Sequence, residues 1–339
     1  MNTQSDMHFA FASDEKFTLQ LQAAVCSLLK SSVGLSARQV IHVLDCGISD
    51  DSWKCVEATL KSFASRFRIS ATIERHIVEM AQFESFRMWN SSKAPYARLL
   101  LPKLVPYVRY CIYSDCDMLF FRNPWTLVDQ LRQAGVAVLG HKNPVTREGI
   151  NIDEQWFIEH NEPYNCERYF CSGLIAMDLG RFRVPGAIES MLDFLSRHPD
   201  VVSADQTALN WYFRDDCALA DDGWGVFPNE CFGDKYKIFA IHFSGGVPWR
   251  GINSWYEYIM QQRQSGIWRE FVDKFLGQQI QGAYMTFSVR ISGTIAYWLT
   301  RLLLPFRAML PFKKHYFAEA YDVMFRHSEL DCAAERLLC

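Results

Sequence analysis

Along the first 140 residues short apolar runs alternate with amphipathic ones, and this alternation restricts the fold more than any other feature of the chain. His8–Ala12 (HFAFA) reads as a buried strand, with Ser13 as the N-cap of a helix whose apolar period runs through Leu19, Ala23, Leu28 and Leu29. A Ser/Gly-containing loop over 31–36 leads to a second strand, Val40–Leu44, and a second amphipathic run, Trp53–Phe67. A third strand is predicted near Ile69–Ile73. Strands alternating with helices of this length specify a mostly parallel sheet with helices on both faces, an α/β fold.

Tyr96–Leu104 reads as a helix closed near Pro106, and Tyr110–Tyr113 as a short strand running directly into Ser114-Asp115-Cys116-Asp117. A helix from Trp125 and a strand at Val136–Leu139 follow. The polar stretch 142–168 exceeds an ordinary connection and reads as an insertion near the cleft. Regular patterning resumes with a strand at Cys171–Asp178, a helix over Ile188–Leu195, and Ala204-Asp205-Gln206 opening another. Short strands are expected near 225–227 and 238–243, the last carrying His242 before Ser244-Gly245-Gly246. The expected division is one domain over 1–265 and a helical, basic and aromatic appendage over 266–339. From Lys274 to Ala318 there is no acidic residue, while Arg290, Arg301, Pro305 and Arg307 interrupt every stretch approaching a membrane span. Such a segment either lies on an anionic membrane surface or packs as a helical bundle.

The 339 residues carry 35 basic against 38 acidic side chains, a net charge of −3 that gives no global attraction for nucleic acid. The 11 cysteines are odd in number and contain no C-x-x-C pair, which argues against a disulfide framework and against cysteine-based zinc spacing. The N-terminal residues lack a basic n-region and an apolar h-region, so the expectation is a cytoplasmic protein with free thiols, peripheral on the inner face of the membrane if the appendage attaches there.

Asp115 and Asp117 stand two residues apart, so a strand continuing through them would project both carboxylates to one side, where a hard cation such as Mg²⁺ or Mn²⁺ relieves their repulsion. A solvated turn is the plain alternative. The carboxyl ends of strands are where open α/β sheets put ligands. His242 closes another apolar strand and is either a core histidine or a third ligand, and as a ligand its imidazole favours Mn²⁺ over Mg²⁺.

Three stretches together, HFAFASDEKF, YARLLLPKLVPYVRYCIYSDCDMLFFRNPW, and the trio CSGLIAMDL, ADQTALN and IHFSGGVPW, resemble the retaining glycosyltransferases of family 8, over roughly residues 7 to 250. That group holds bacterial lipopolysaccharide galactosyl- and glucosyltransferases and the glycogenins. The resemblance implies a GT-A fold, a UDP-hexose donor, Mn²⁺ (Mg²⁺ possible) held by Asp115, Asp117 and His242, and a saccharide or lipid-linked glycan acceptor. It further implies that Ala12, Asp14 and Phe17 receive the uridine, and that Arg98, Asp115, Cys171, Ser172 and Gly245 meet the diphosphate or sugar. Asp205 and Gln206 would face the transferred sugar. Departures are specific: Cys171 stands where the family commonly has Asn, Lys16 where it often has Asn, and HFSGGVPW is one residue short of the usual closing motif and lacks its lysine, for which Arg250 could substitute. Retention proceeds by double displacement or by a front-face route, and the amide of Gln206, a poor nucleophile, favours the second. The rival readings are a metal-dependent nucleotide-sugar hydrolase and a nucleotide-sugar binding protein without turnover.

Overall fold

The computed structural model describes residues 6–89, 91–143, 153–228, 237–244, 248–249 and 255–278, isolated positions between 291 and 302, and residues 328–339. The chain divides into two compact units, the first made of 1–118 and 122–225, the second of 119–121 and 226–339.

The first unit is built on a seven-stranded sheet. Strand β1 (Met7–Ser13) pairs in parallel with β2 (Gln39–Asp45) and with β4 (Tyr110–Ser114), and β2 pairs in parallel with β3 (Ala71–Ile77). On the far side β7 (Phe170–Asp178) lies between β4 and β6 (Val138–Lys142) and runs antiparallel to both, while β8 (Cys217–Leu219) closes the edge parallel to β6. The sheet is therefore mostly parallel with one reversed strand.

Helix α1 (Thr18–Ser31) and helix α2 (Asp50–Arg66) form the first two crossovers. The sequence pattern places Ser13 as the cap of the first, but Ser13 completes β1. Asp14 caps instead, its carboxylate accepting from the Lys16 N–H ahead of a 3-10 turn over Glu15–Phe17. Ser49 caps α2 in the same manner. The expected helix at Tyr96–Leu104 is a 3-10 segment, Ala94–Leu100, that becomes α3 (Leu101–Leu104) only at its end. Helices α4 (Thr126–Ala134), α5 (Glu154–His160), α6 (Leu179–Phe182), α7 (Ala187–Arg197) and α8 (Asp205–Tyr212) complete the unit. One face of the sheet buries Ala10, Leu44, Tyr113 and Ile175 in a single apolar cluster with Tyr96, Phe157 and Phe194. Each large side chain so buried contributes roughly 1.5–3 kcal/mol.

Strand β3 is shifted against its expected position. Its residues are half-buried, as an edge strand with Glu74, Arg75 and His76 permits, and the parallel register with β2 starts at Gln39 opposite Ala71. Strand β8 carries no apolar run long enough to announce itself.

Strand β5 (Met118–Phe120), which enters the second unit at Leu119, forms a two-stranded sheet with β9 (Ala240–His242), and Val226 bridges to Ile241. Helix α9 (Trp255–Leu276) buries Ile267, Trp268, Phe271 and Val272. Helix α10 (Ser328–Leu338) buries Leu330, Ala333, Ala334 and Leu337, the i, i+3, i+4, i+7 pattern of one helical face. Most of the basic stretch from Lys274 to Lys314 lies outside the described residues.

The sheet has little room at Gly140, where an added Cβ would come 2.8 Å from the Phe170 side chain. Gly140→Ala should therefore destabilise the chain by roughly 1–3 kcal/mol through overpacking. Gly266→Ala, on α9 with open space around the position, should stabilise by roughly 0.5–1 kcal/mol. Urea denaturation of the two full-length variants checks both signs.

Candidate functional site

At the carboxyl end of β1 the chain leaves the sheet through Ala12, Ser13 and Asp14, and at the carboxyl end of β4 through Asp115, Cys116 and Asp117. These two exits, with Phe17, Tyr113, Trp89 and Ser92, line one cleft. Asp14 is held by two donors, the Lys16 N–H at 3.0 Å and the Ser92 hydroxyl at 2.7 Å. The Cys116 thiol points inward and donates to the Ala12 carbonyl, tying the two exits together.

The paired aspartates do not continue the strand. Strand β4 ends at Ser114, and Asp115–Asp117 form the turn into β5. It is this turn, with the Asp115 N–H bonded to the Gly173 carbonyl at 2.8 Å, that brings the two carboxylates within 4.8 Å of each other at the cleft wall. Oxygen donors at that spacing fit a hard divalent cation.

Behind the turn lies Arg98, 1% exposed. Its Nη2 donates to Asp115 at 2.8 Å, its Nη1 to the Ser172 carbonyl and its Nε to the Pro95 carbonyl at 3.0 Å, while the guanidinium lies 4.2 Å from the centre of the Tyr113 ring. Asp205 Oδ2 sits 2.8 Å from the same Nε. Because that N–H is aligned on Pro95, the Asp205 contact is Coulombic and not a linear hydrogen bond. Burial would lower the Arg98 pKa, but Asp115 and Asp205 outweigh it and hold the pKa above its ordinary value. Burial pushes the Asp205 carboxyl up to about 7, with Arg98 opposing the shift and Asp115 adding to it.

Asp205 is not a helix cap. The N-cap of α8 is Ala204, at φ 50° and ψ −125°, a left-handed backbone for a residue with a Cβ, and its side chain makes no capping bond. This strained residue delivers Asp205 and Gln206 side by side to the buried cluster. The Gln206 amide is fixed in orientation: its Oε1 accepts from the Ser172 N–H at 2.9 Å, and its Nε2 donates to Asn143 and Asp153, both at 3.3 Å.

The sheet itself supplies the Ser172 backbone. Strand β6 pairs Gly140 with Ile175 but His141 with Cys171, so the register slips and Ser172, Gly173 and Leu174 have no β6 counterpart. The bulge releases the Ser172 N–H to Gln206, the Ser172 carbonyl to Arg98 and the Gly173 carbonyl to Asp115. Cys171, at the mouth of the bulge, is buried with its sulfur within 4.8 Å of a His141 ring nitrogen.

Thus the structure gathers Ala12, Asp14, Phe17, Asp115 and Asp117 on one cleft and joins Arg98, Asp205, Gln206 and Ser172 in one buried network. His242 lies in the second unit, buried on β9, with its N–H on the Val226 carbonyl and its ring 5.2 Å from Phe227. Gly245 and Arg250 fall outside the described residues. Four contributors carried no motif. Trp89 and Ser92 line the cleft from an irregular polar stretch. Asn143 and Asp153 support Gln206 from the segment read only as an insertion. The sole hint in the sequence was Trp89 standing at the head of the polar run Asn90–Lys93.

The model of glycosyl transferase family 8 matches residues 8–253. The chain is 24% identical over 274 residues to General stress protein A of Bacillus subtilis (strain 168), covering 74% of this chain and 89% of that protein. Among solved structures it is similar to galactosyltransferase LgtC in complex with donor and acceptor sugar analogs, at 19% identity and a TM-score of 0.64, covering 79% of this chain and 96% of that one. It is also similar to the apo-form glycosyltransferase GlyE of Streptococcus pneumoniae TIGR4, at 16% identity and a TM-score of 0.56, over 79% of this chain and 60% of that one. These likenesses show the GT-A fold.

The raised Asp205 carboxyl has a sign that stability measurements can read. With a folded pKa of about 7 against an ordinary 3.8, the folded chain holds this proton more tightly than the unfolded chain. Its contribution to stability is full below the unfolded value and is lost as pH rises through the folded one. Metal-free protein should lose melting temperature between about pH 4 and pH 7 in part through Asp205, and Asp205→Asn should flatten that limb. Parallel slopes for the two proteins would refute it.

Proposed function

This chain belongs to glycosyl transferase family 8, and from that premise we propose that it is a retaining hexosyltransferase moving galactose or glucose from a UDP-sugar to a saccharide or lipid-linked glycan, such as lipopolysaccharide or another surface polysaccharide. The observation that carries this reading is the convergence on one cleft of the Ala12–Phe17 segment and the Asp115–Asp117 turn. Phe17 and Trp89 offer aromatic surface to a base. Asp14, whose carboxylate already accepts from two donors, has lone pairs left for a ribose hydroxyl.

Asp115 and Asp117 are the proposed ligands of Mn²⁺ or Mg²⁺, joined by His242 as the resemblance implies. Bound there, the cation would stabilise charge developing on the departing diphosphate. Arg98, spent on protein groups as the structure stands, holds the Asp115 carboxylate in place and offsets its charge. Gln206 and Asp205 are the proposed groups that oppose positive charge on the anomeric carbon, and the Ser172 N–H, Asn143 and Asp153 keep the Gln206 amide from rotating. An amide so held favours the front-face route, in which the acceptor hydroxyl attacks from the leaving-group side.

Gln206→Ala should lower kcat by roughly 10²-fold with a smaller change in the donor KM, because a preorganised dipole acts mainly where charge develops. Asp115→Ala and Asp117→Ala should abolish divalent-stimulated release of UDP from UDP-galactose or UDP-glucose. Product analysis with and without a saccharide acceptor separates transfer from hydrolysis, and a chain that binds UDP but releases none from UDP-sugar would be a binding protein.

No helix among the described residues is long and apolar enough to cross a membrane. Peripheral attachment to anionic membrane through the basic stretch from Lys274 to Lys314 is the proposed meeting point with a lipid-linked acceptor. Full-length protein should sediment with anionic but not neutral vesicles, and less so at high salt; a truncation at 273 should not.

A further inference from the structure

Away from the cleft, the edge of the sheet gathers three imidazoles and a carboxylate that the reaction does not use. The parallel register sets His42 directly opposite Glu74, with His76 two residues on along β3 and His8 two residues before the β1 position that faces His42. All four side chains therefore share one face of β1, β2 and β3. His42 Nδ1 lies 3.1 Å from His76 Nε2 and 3.1 Å from Glu74 Oε2, and the last two are 3.6 Å apart.

Three lone-pair atoms at the corners of so small a triangle pose a problem that one proton does not solve, and two protons, on His42 Nδ1 and His76 Nε2, would set two N–H donors against each other across 3.1 Å. A proton on His42 Nδ1 serves His76 or Glu74 and leaves the other facing a lone pair. A proton on His76 Nε2 leaves Glu74 facing the unprotonated His42 Nδ1. A cation at the centre serves all three. Tetrahedral zinc with bonds of 2.0–2.1 Å sets its ligands about 3.3 Å apart, and the three observed separations straddle that value.

We propose that His42 Nδ1, His76 Nε2 and Glu74 Oε2 form a binding site for a borderline divalent cation of the zinc class, separate from the carboxylate pair at the cleft. Surrounding groups are arranged as such a site needs. His42 Nε2, 3.0 Å from His8 Nδ1, can donate its proton there, which leaves Nδ1 as the lone-pair nitrogen. The Tyr107 hydroxyl donates to Glu74 Oε2 at 2.6 Å and fixes the carboxylate. Burial, with smaller contributions from His8 and His76, pushes the His42 pKa down to about 3, so the imidazole is neutral at ordinary pH. His42 is fully buried, whereas Glu74 and His76 keep a solvent-facing side, so water can take the fourth position. Imidazole donors separate the two sites chemically: zinc prefers this one, and manganese or magnesium the carboxylates. Because the ligands come from β2 and β3, with the His8 support on β1, an ion here would fasten the edge of the sheet, and its binding free energy would add to folding stability.

The test uses full-length Asp115→Asn/Asp117→Asn protein, in which the cleft carboxylates are silenced, titrated with Zn²⁺ by calorimetry and with Co²⁺ by visible absorption. One equivalent should bind, Co²⁺ should show the intense ligand-field bands of low coordination without a thiolate charge-transfer band, and Zn²⁺ should raise the melting temperature. His76→Ala and Glu74→Gln, added singly to that protein, should each weaken binding at least tenfold and lose the Zn²⁺-induced rise. Both positions are partly exposed, and circular dichroism of the metal-free variants verifies that they fold. No stoichiometric binding, undiminished affinity in both variants, or a thiolate band would overturn the site and leave a histidine hydrogen-bond chain in its place.

Discussion

A guanidinium sealed between two carboxylates governs the architecture of the cleft. Arg98 sits among the Tyr113 ring, the Ser172 and Pro95 carbonyls, Asp115 and Asp205 with almost no contact with water. Removing such a charge from water costs several kcal/mol, which is recovered only when its donors and countercharges are all in place. The requirement propagates outward. The Ser172 carbonyl is available because the β6–β7 register slips, Asp115 because the chain turns at the end of β4, and Asp205 because Ala204 accepts a left-handed backbone. A buried ion cluster of this kind is weak evidence for stability, but it fixes geometry: each element that meets Arg98 has one position in which the charges balance.

The same cluster separates the two acids that flank it. Asp115 points to the cleft beside Asp117, whereas Asp205 is wholly buried, so burial sends its affinity for protons upward. Two carboxylates on one arginine thus have different environments. The Gln206 amide next to them is oriented by backbone and side-chain partners rather than by space filling.

Much of the fold was legible because burial leaves a period in the sequence. Strands β1 and β2 are buried on both faces for most of their length and were found within a residue or two of their ends, and the two crossover helices followed from their amphipathic runs. Where burial is partial the reading slipped, as at β3, whose Glu74, Arg75 and His76 obscure the pattern. Local competition between caps was illegible: Ser13 and Asp14 are both good caps, and the strand claimed the first. The aspartate pair was found, but by assuming that a strand continues where it in fact turns. Asp153, Asn143 and the His42–Glu74–His76 triangle were missed for a common reason. Their significance arises from register and tertiary contact between distant segments, and no local spacing encodes it. Counting cysteines could not find a site made of imidazoles on neighbouring strands.

The reversed direction of β7 bears on how such a chain can diversify. Because β6 ends at Lys142 and β7 begins at Phe170 directly beside it, the intervening segment leaves and re-enters the sheet at adjacent positions on the same end as Asp115. Its two anchor points are set by the ladder and not by its own length. Doubling a flexible loop between fixed ends costs only about 0.6 kcal/mol in closure entropy. The segment is nonetheless tied to the site at Asn143 and Asp153 and to the core at Phe157, so an exchange that kept these three would leave both the strands in register and the Gln206 amide in place.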